Sequence, residues 1–226
     1  MKDYLTELEE LFYEWKENYS KKGLDFIKDG IPCPEVFEKE KQKVLFILKE
    51  ANDKNSNDQL PSYSEYASGE KDNFKNKGIK IRLAEMYKVI TDQKLSNAEA
   101  IKRIAFLNLK KVGGESVSTP SNISKFASED RNSIIREINI INPDFIVCCG
   151  CFSIFYKHVI LGKKSADKSN WRKYVNHLST NVVLWKSENK EIKIIDMYHP
   201  SYSYNGYSGR SGDITYINEF KRRLSD

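Results

Sequence analysis

The 226-residue chain predicts an α/β fold in which a central, mostly parallel four-stranded sheet lies between two layers of helices. Three observations carry this prediction. Four short segments, Val44–Leu48, Ile104–Leu109, Phe145–Cys149 and Lys193–Met197, are nearly continuous apolar runs, the pattern of strands covered on both faces. Between them the apolar residues recur at helical spacing instead. Polar residues then gather where those strands end, at Glu50, Asn108 and His199, and open parallel sheets bind ligands outside the carboxyl ends of their strands.

The chain opens on an amphipathic helix, with Leu5, Leu8, Phe12, Trp15 and Tyr19 set among glutamates and lysines. Gly23, Gly30, Pro32 and Pro34 interrupt the chain after it, and Pro34 opens a short second helix through Glu38 to Lys41. Residues 1–42 therefore read as a helical segment packed on one domain that spans residues 1–226. The first core strand runs into Lys49-Glu50-Ala51-Asn52-Asp53, followed by polar sequence as far as Gly78. A loop of that length is either functional or disordered. Ile81, Leu83, Met86, Tyr87 and Ile90 form the next helix face, and Ser96 caps a short helix around Ala98 to Ile101.

The second strand ends in Lys110-Lys111-Val112-Gly113-Gly114, whose glycines permit close backbone approach. Ser128, Asp130 and Arg131 open a helix that buries Ile134, Ile135, Ile138 and Ile141 and stops before Pro143. A helix from Phe152 to Leu161 comes after the third strand. Lys163 to Lys173 reads as a lysine-rich loop, and Val182 to Trp185 as a short strand. After the fourth core strand comes a glycine-rich stretch, Asn205 to Gly212, and a final helix holding Phe220 and Leu224.

Composition narrows the function. The net charge is +5 with 31% charged residues, which permits a polyanionic partner without requiring one. No apolar run reaches membrane-spanning length, and the acidic amphipathic start is unlike a secretory leader. A cytoplasmic protein with no membrane partner, acting as a monomer, is expected. Cys33 stands alone while Cys148, Cys149 and Cys151 crowd one strand end, unlike a secreted disulfide framework. Adjacent strand residues point to opposite faces, so Cys148 and Cys149 do not converge on one ion, and the cysteines read as small buried thiols. Neither a Walker loop nor a GxGxxG loop is present. No metal and no cofactor are expected.

The segment Ile194-Ile195-Asp196-Met197-Tyr198-His199-Pro200-Ser201 is the best site candidate. A buried strand delivers an imidazole, a proline stiffens the turn behind it, and Ser201 comes next with a hydroxyl and an N–H able to hold a phosphate. His158, on a helix face, and His177, in a lysine-rich region, are weaker candidates. Plainer readings stand beside these: Asn108 can cap the next turn through its side chain, and Glu50 and Asp53 can be solvated loop charges.

The order of the four strand ends resembles the uracil-DNA glycosylase superfamily, most closely its thermophile-type branch. Lys49-Glu50-Ala51-Asn52-Asp53 is similar to that branch's Gly-Glu-Ala-Pro-Gly-like loop in its Glu-Ala core. Leu107-Asn108-Leu109-Lys110 matches a strand-end asparagine followed by a Val-Lys-like pair. Asn142 to Gly150 fits the pattern x-Pro-x-x-Ile-Val-x-x-Gly, and Tyr198 to Ser201 reads Tyr-His-Pro-Ser.

The resemblance implies a hydrolase that flips a base out of DNA and cuts its N-glycosidic bond. Asn108 would pair with a pyrimidine's N3–H and O4, and His199 would donate to O2 as negative charge builds on the leaving base. Glu50, Asn52 or Asp53 would orient or deprotonate the attacking water. Lys49, Ala51 and Asn52 would line the substrate loop. Ser201 would grip backbone phosphate, Tyr204 or Tyr207 would wedge the duplex, and Arg210 would lie near a phosphate, with single- or double-stranded DNA as the partner. Lys110, Lys111, Lys163, Lys164, Lys168, Arg172 and Lys173 would flank the DNA track.

The sequence also departs from that branch. Lys49, Asn52 and Asp53 replace its Gly, Pro and Gly, and the cysteines of its iron–sulfur cluster have no counterpart, so no cluster is expected. Lys49 places a cation in the pocket and favours an anionic or modified base over plain uracil. Two other classes of function remain open: a nucleic-acid-binding module without the chemistry, and an enzyme acting on a free nucleoside or nucleotide.

Overall fold

The computed structural model describes residues 4–50, 77–114, 119–162, 181–201 and 210–225, the side chains of 77 and 210–213 excepted. Among these residues five strands form one sheet: β1 (Val44–Glu50), β2 (Ile104–Lys110), β3 (Phe145–Cys149), β4 (Val182–Lys186) and β5 (Glu191–Met197), in the order β2-β1-β3-β5-β4. The four apolar runs are β1, β2, β3 and β5, and all three pairings among them are parallel. The expected four-stranded sheet is corrected to a mixed five-stranded one, because β4 adds antiparallel to β5 at the edge. Four residues, 187–190, join the paired Lys186 and Glu191, so an antiparallel return needs no crossover.

Helices cover both faces. Successive strand residues point to opposite sides, so Leu45, Ile47, Leu107, Ile146 and Ile194 pack under α1 (Tyr4–Ser20), α5 (Pro120–Glu129) and α6 (Arg131–Ile141). Val44, Phe46, Phe106, Val147 and Ile195 pack under α3 (Lys77–Thr91), α4 (Asn97–Ile101) and α8 (Arg210–Ser225). A short helix α2 (Pro34–Phe37) precedes β1, and α7 (Phe152–Ile154) continues as a π-helical run over Phe155–Leu161. The chain winds from β1 to β2 on one side and then to β3 on the other, and such a reversal of strand order opens a crevice between the two carboxyl ends.

Local sequence accounts for most boundaries. Ser96 and Glu99 form a capping box at α4, as the capping serine predicts. Helix α6 starts at Arg131 as expected, but its N-cap Asp130 makes no capping bond, because the carboxylate accepts the Tyr19 hydroxyl of α1. Trp15 and Tyr19, 2% and 1% exposed, anchor α1 on that face, and truncating a buried aromatic of this kind costs about 3–5 kcal/mol. Three expectations shift. Ser128 lies inside a separate helix, Pro120–Glu129, and does not open α6; α2 ends at Phe37 rather than near Lys41; and α8 begins at Arg210 inside the glycine-rich stretch.

Edge strand β2 is covered by residues 27–30. Gly30 and Phe106 exchange backbone hydrogen bonds of 3.0 and 2.8 Å, and the Ile27 N–H donates to the Lys111 carbonyl at 2.7 Å. Pairing the exposed edge in this way removes a template for aggregation.

Candidate active site at the carboxyl rim of the sheet

The carboxyl ends of β2, β1, β3 and β5 form one rim, with Asn108 registered opposite Leu48 and Lys110 opposite Glu50. Glu50 and Asn108 lie on the same sheet face by the two-residue period of their strands. The Glu50 carboxylate accepts a short hydrogen bond from Lys110 Nζ, and both side chains are nearly buried, 5% and 8% exposed. Lys110 also donates to the Gly113 carbonyl at 3.3 Å. Gly114 presses on the same carboxylate: a Cβ there would stand 2.1–2.4 Å from its atoms. Only glycine leaves Glu50 its place.

Asn108 is 1% exposed. Its backbone N–H donates to Asp29 Oδ2 at 2.5 Å, whereas its side-chain nitrogen and oxygen both have no hydrogen-bond partner among the described residues. The turn-capping reading is therefore not realised there. A buried amide without partners costs about 1–3 kcal/mol for each group left unmade, and such a group in a native fold calls for an explanation.

His199 lies just past β5 and folds over the end of β3. Gly150 adopts φ +70°, and a Cβ on it would meet the Cβ and N of His199 at 3.0 Å. The Gly150 N–H donates to the Met197 carbonyl at 2.6 Å, so this glycine ties the two strand ends together. The Ser201 N–H donates to His199 Nδ1 at 3.2 Å, and the Ser201 hydroxyl lies 2.7 Å from the same nitrogen. Nδ1 is thus an acceptor, which leaves the proton of a neutral ring on Nε2. Arg82 Nη1 donates to the Pro200 carbonyl at 2.8 Å and the Tyr216 hydroxyl to the Tyr198 carbonyl at 2.5 Å, so α3 and α8, whose Arg82 and Tyr216 stack at 4.6 Å, together hold the segment from one sheet face.

Burial, and then the Lys49 charge, pull the His199 imidazole down to about 4, so the ring is neutral at pH 7. Lys49 comes within electrostatic reach because β1 pairs with β3 up to Ile47 and Cys148, and two residues further the two strands bring Lys49 alongside Gly150. The cation anticipated in the pocket therefore bears on the imidazole.

No family model matches the chain, and no curated protein matches it.

The structure gathers Lys49, Glu50, Asn108, His199 and Ser201 on one rim. Direct contacts join Glu50 to Lys110 and His199 to Ser201 and Gly150; among the described residues none links Glu50, Asn108 and His199 to one another. Gly150 lies two strands from β2, about 10 Å at the usual strand spacing. Ala51, Asn52, Asp53, Tyr204 and Tyr207 lie outside the described residues, as does the side chain of Arg210, the first residue of α8.

Two cations assigned to a DNA track are corrected. Lys110 and Lys111 are buried and belong to internal ion pairs, so they cannot line a surface. Lys163, Lys164, Lys168, Arg172 and Lys173 fall outside the described residues. Cys148 and Cys151 are spaced Cys-x-x-Cys and face the same side, a pair that the alternation of Cys148 and Cys149 obscures. Burial, with Cys151 next to it, pushes the Cys148 thiol up, and the Cys151 thiol donates to the Ile47 carbonyl at 3.3 Å. Buried thiols of this kind are unreactive. Among the described residues, no three His, Cys, Asp or Glu side chains are arranged to hold a metal, and no helix is long and apolar enough to cross a membrane.

Sequence reasoning missed Asp29, which holds the backbone of Asn108, and no local signal marks it. A separate groove of about 780 Å³ lies at the amino end of β5, between α1, α6 and the β4–β5 turn. It contains none of the rim residues.

Proposed function

We propose that the chain is a DNA glycosylase of uracil-DNA glycosylase type, cleaving the N-glycosidic bond of uracil or a related altered base that has been flipped out of DNA. The observation that carries this reading is the Asn108 side chain: a fully buried amide whose donor and acceptor are both unmatched among the described residues. One amide oxygen and one N–H complement the N3–H and O4 of a pyrimidine, and a partner of that kind would remove the penalty of the empty amide.

The other rim groups fit the chemistry. Base departure from the sugar leaves negative charge on the base and an oxocarbenium-like sugar. His199, neutral and protonated on Nε2, is a preorganised donor to the pyrimidine O2 and needs no charge of its own. Lys49 supplies the nearby positive charge, which favours bases that leave as anions and extends the range to modified pyrimidines. Glu50, fixed by Lys110, orients the attacking water, with Asp53 as the second carboxylate and Asn52 and Ala51 completing the loop. Ser201, Tyr204, Tyr207 and Arg210 serve the DNA backbone and the gap left by the flipped base.

The test is incubation of the purified protein with single-stranded and duplex oligonucleotides carrying uracil, followed by alkali to reveal abasic sites. Cleavage is expected, and Asn108→Ala and His199→Ala should each lower its rate by about 10²–10³, the scale of one lost preorganised donor. Absence of cleavage on every substrate would sink the proposal. Salt-sensitive binding without cleavage would point to the binding module instead.

A further inference from the structure

Beneath Asn108 lies a cluster that the chemistry above does not use. Lys111 Nζ donates to Asp29 Oδ1 in a short contact and to Glu137 Oε2 at 2.8 Å, and all three side chains are fully buried, 0% exposed. The rings of Trp15 and Phe12 stand 4.8 and 5.7 Å from the ammonium. Burying two carboxyl groups around one ammonium is an expensive arrangement, and a buried ion cluster is weak evidence for stability as such.

Asp29 touches the site: its second oxygen, Oδ2, accepts the backbone N–H of Asn108 at 2.5 Å. Along β2 the outward N–H of Phe106 is met by the backbone carbonyl of Gly30. Two residues on, the corresponding N–H is met by a side chain instead, one that Lys111 holds from its other oxygen. We propose that Asp29 is a positioning residue, which fixes the backbone of Asn108 on the edge strand so that its side-chain amide is held where a base is read. The inference rests on the glycosylase reading for what Asn108 does, and on the structure alone for what Asp29 does.

The charge count makes the proposal testable without unfolding the protein. Removing either carboxylate leaves one ammonium beside one carboxylate, a balanced pair. Burial and the neighbouring Asp29 charge push the Glu137 carboxyl well up, so a neutral side chain suits that position. Glu137→Gln thus changes the same cluster and spares the bond to Asn108. Asp29→Ala removes that bond, and Asp29→Asn retains a single neutral acceptor, which serves the Asn108 N–H only when the amide NH2 is turned toward Lys111, so the bond is weakened and not abolished.

The experiment measures three quantities on the full chain: hydrogen exchange of the Asn108 amide by NMR, inhibition by free uracil, and excision of uracil from a single-stranded oligonucleotide. Asp29→Ala should speed Asn108 exchange and weaken uracil inhibition by about tenfold or more, the scale of a lost hydrogen bond to a charged group. Asp29→Asn should do both by about threefold, and Glu137→Gln should stay within about twofold of wild type. Salt-dependent oligonucleotide affinity should not change, since no phosphate contact is altered. Equal losses in Asp29→Ala and Glu137→Gln would reduce the cluster to a structural one and overturn the proposal. So would an Asp29→Ala protein whose exchange and inhibition match wild type. If Asp29→Ala does not melt cooperatively, Asp29→Asn decides, and values equal to wild type overturn the inference. If wild type neither excises nor binds uracil, the glycosylase reading fails, and Asn108 exchange alone settles the role of Asp29.

Discussion

On the β2 side of the rim the polar groups are held by charge, whereas on the β5 side they are held by backbone. Glu50 sits in an ion pair with Lys110 and Asn108 hangs from Asp29, itself paired with Lys111. His199 is placed by a glycine with a left-handed φ, by the N–H of Ser201 and by two carbonyls clamped from neighbouring helices. The two arrangements fail in opposite ways. A charge-held group is lost when a partner is removed, because the remaining charge stays buried. A backbone-held group is lost when an atom is added, because the close approach has no room for it.

The largest effect is expected on the charged side. Lys110→Met leaves the Glu50 carboxylate, 5% exposed, without its ammonium, and breaking one partner from a buried pair costs about 3–5 kcal/mol. Urea denaturation should show that loss with an unchanged m-value. A cost under about 1 kcal/mol, the range of solvent-exposed pairs, would mean that water reaches Glu50 and that the two sides of the rim do not differ as described.

Gly150→Ala should be next. The left-handed backbone alone costs a non-glycine residue about 1–2 kcal/mol, and the new Cβ meets the backbone nitrogen of His199 at 3.0 Å, where no side chain can swing aside. Thermal unfolding should register the strain, and the NMR signals of His199 should shift while those of Asn108 stay put. A shift at Asn108 as large as at His199 would show the two halves to be one mechanical unit.

How much of this was legible in the sequence depends on the range of each force. The four parallel strands could be read because burial on both faces writes continuous apolar runs, and His199 because Pro200 marks where its strand must stop. Helix α5 could not be read that way, since in Pro120–Glu129 only Ile123 and Ala127 are buried. The direction of β4 depends on a tight return onto β5, which its own five residues do not encode. The ion pairs were hidden by distance along the chain: Glu50 lies 60 residues from Lys110, and Asp29 lies 82 from Lys111. A lysine just past a strand reads as a surface cation until its partner is known. The Cys-x-x-Cys spacing was present in the sequence, but strand alternation at Cys148 and Cys149 drew the reading away from Cys151.

The smallest effect expected joins the two halves through Lys49, which stands on β1 and acts on His199. Burial is the first cause of the low His199 value of about 4 and the Lys49 charge the second, against an ordinary 6.5. Lys49→Met should therefore raise the His199 midpoint in an NMR titration while leaving it below 6.5. The stability consequence has a fixed sign. Between about 6.5 and about 4 the unfolded chain binds a proton that the folded chain refuses, so the protein loses stability as pH falls through that window. Raising the folded value narrows the window from its acid side, and Lys49→Met should lose less stability on acidification than wild type. Excision, which uses the neutral ring, should hold steady from pH 8 down to about 5 in wild type, one unit above the His199 value, and begin to fall at a higher pH in the variant. An unmoved midpoint would place the Lys49 charge away from the imidazole and leave burial as the sole reason His199 is neutral.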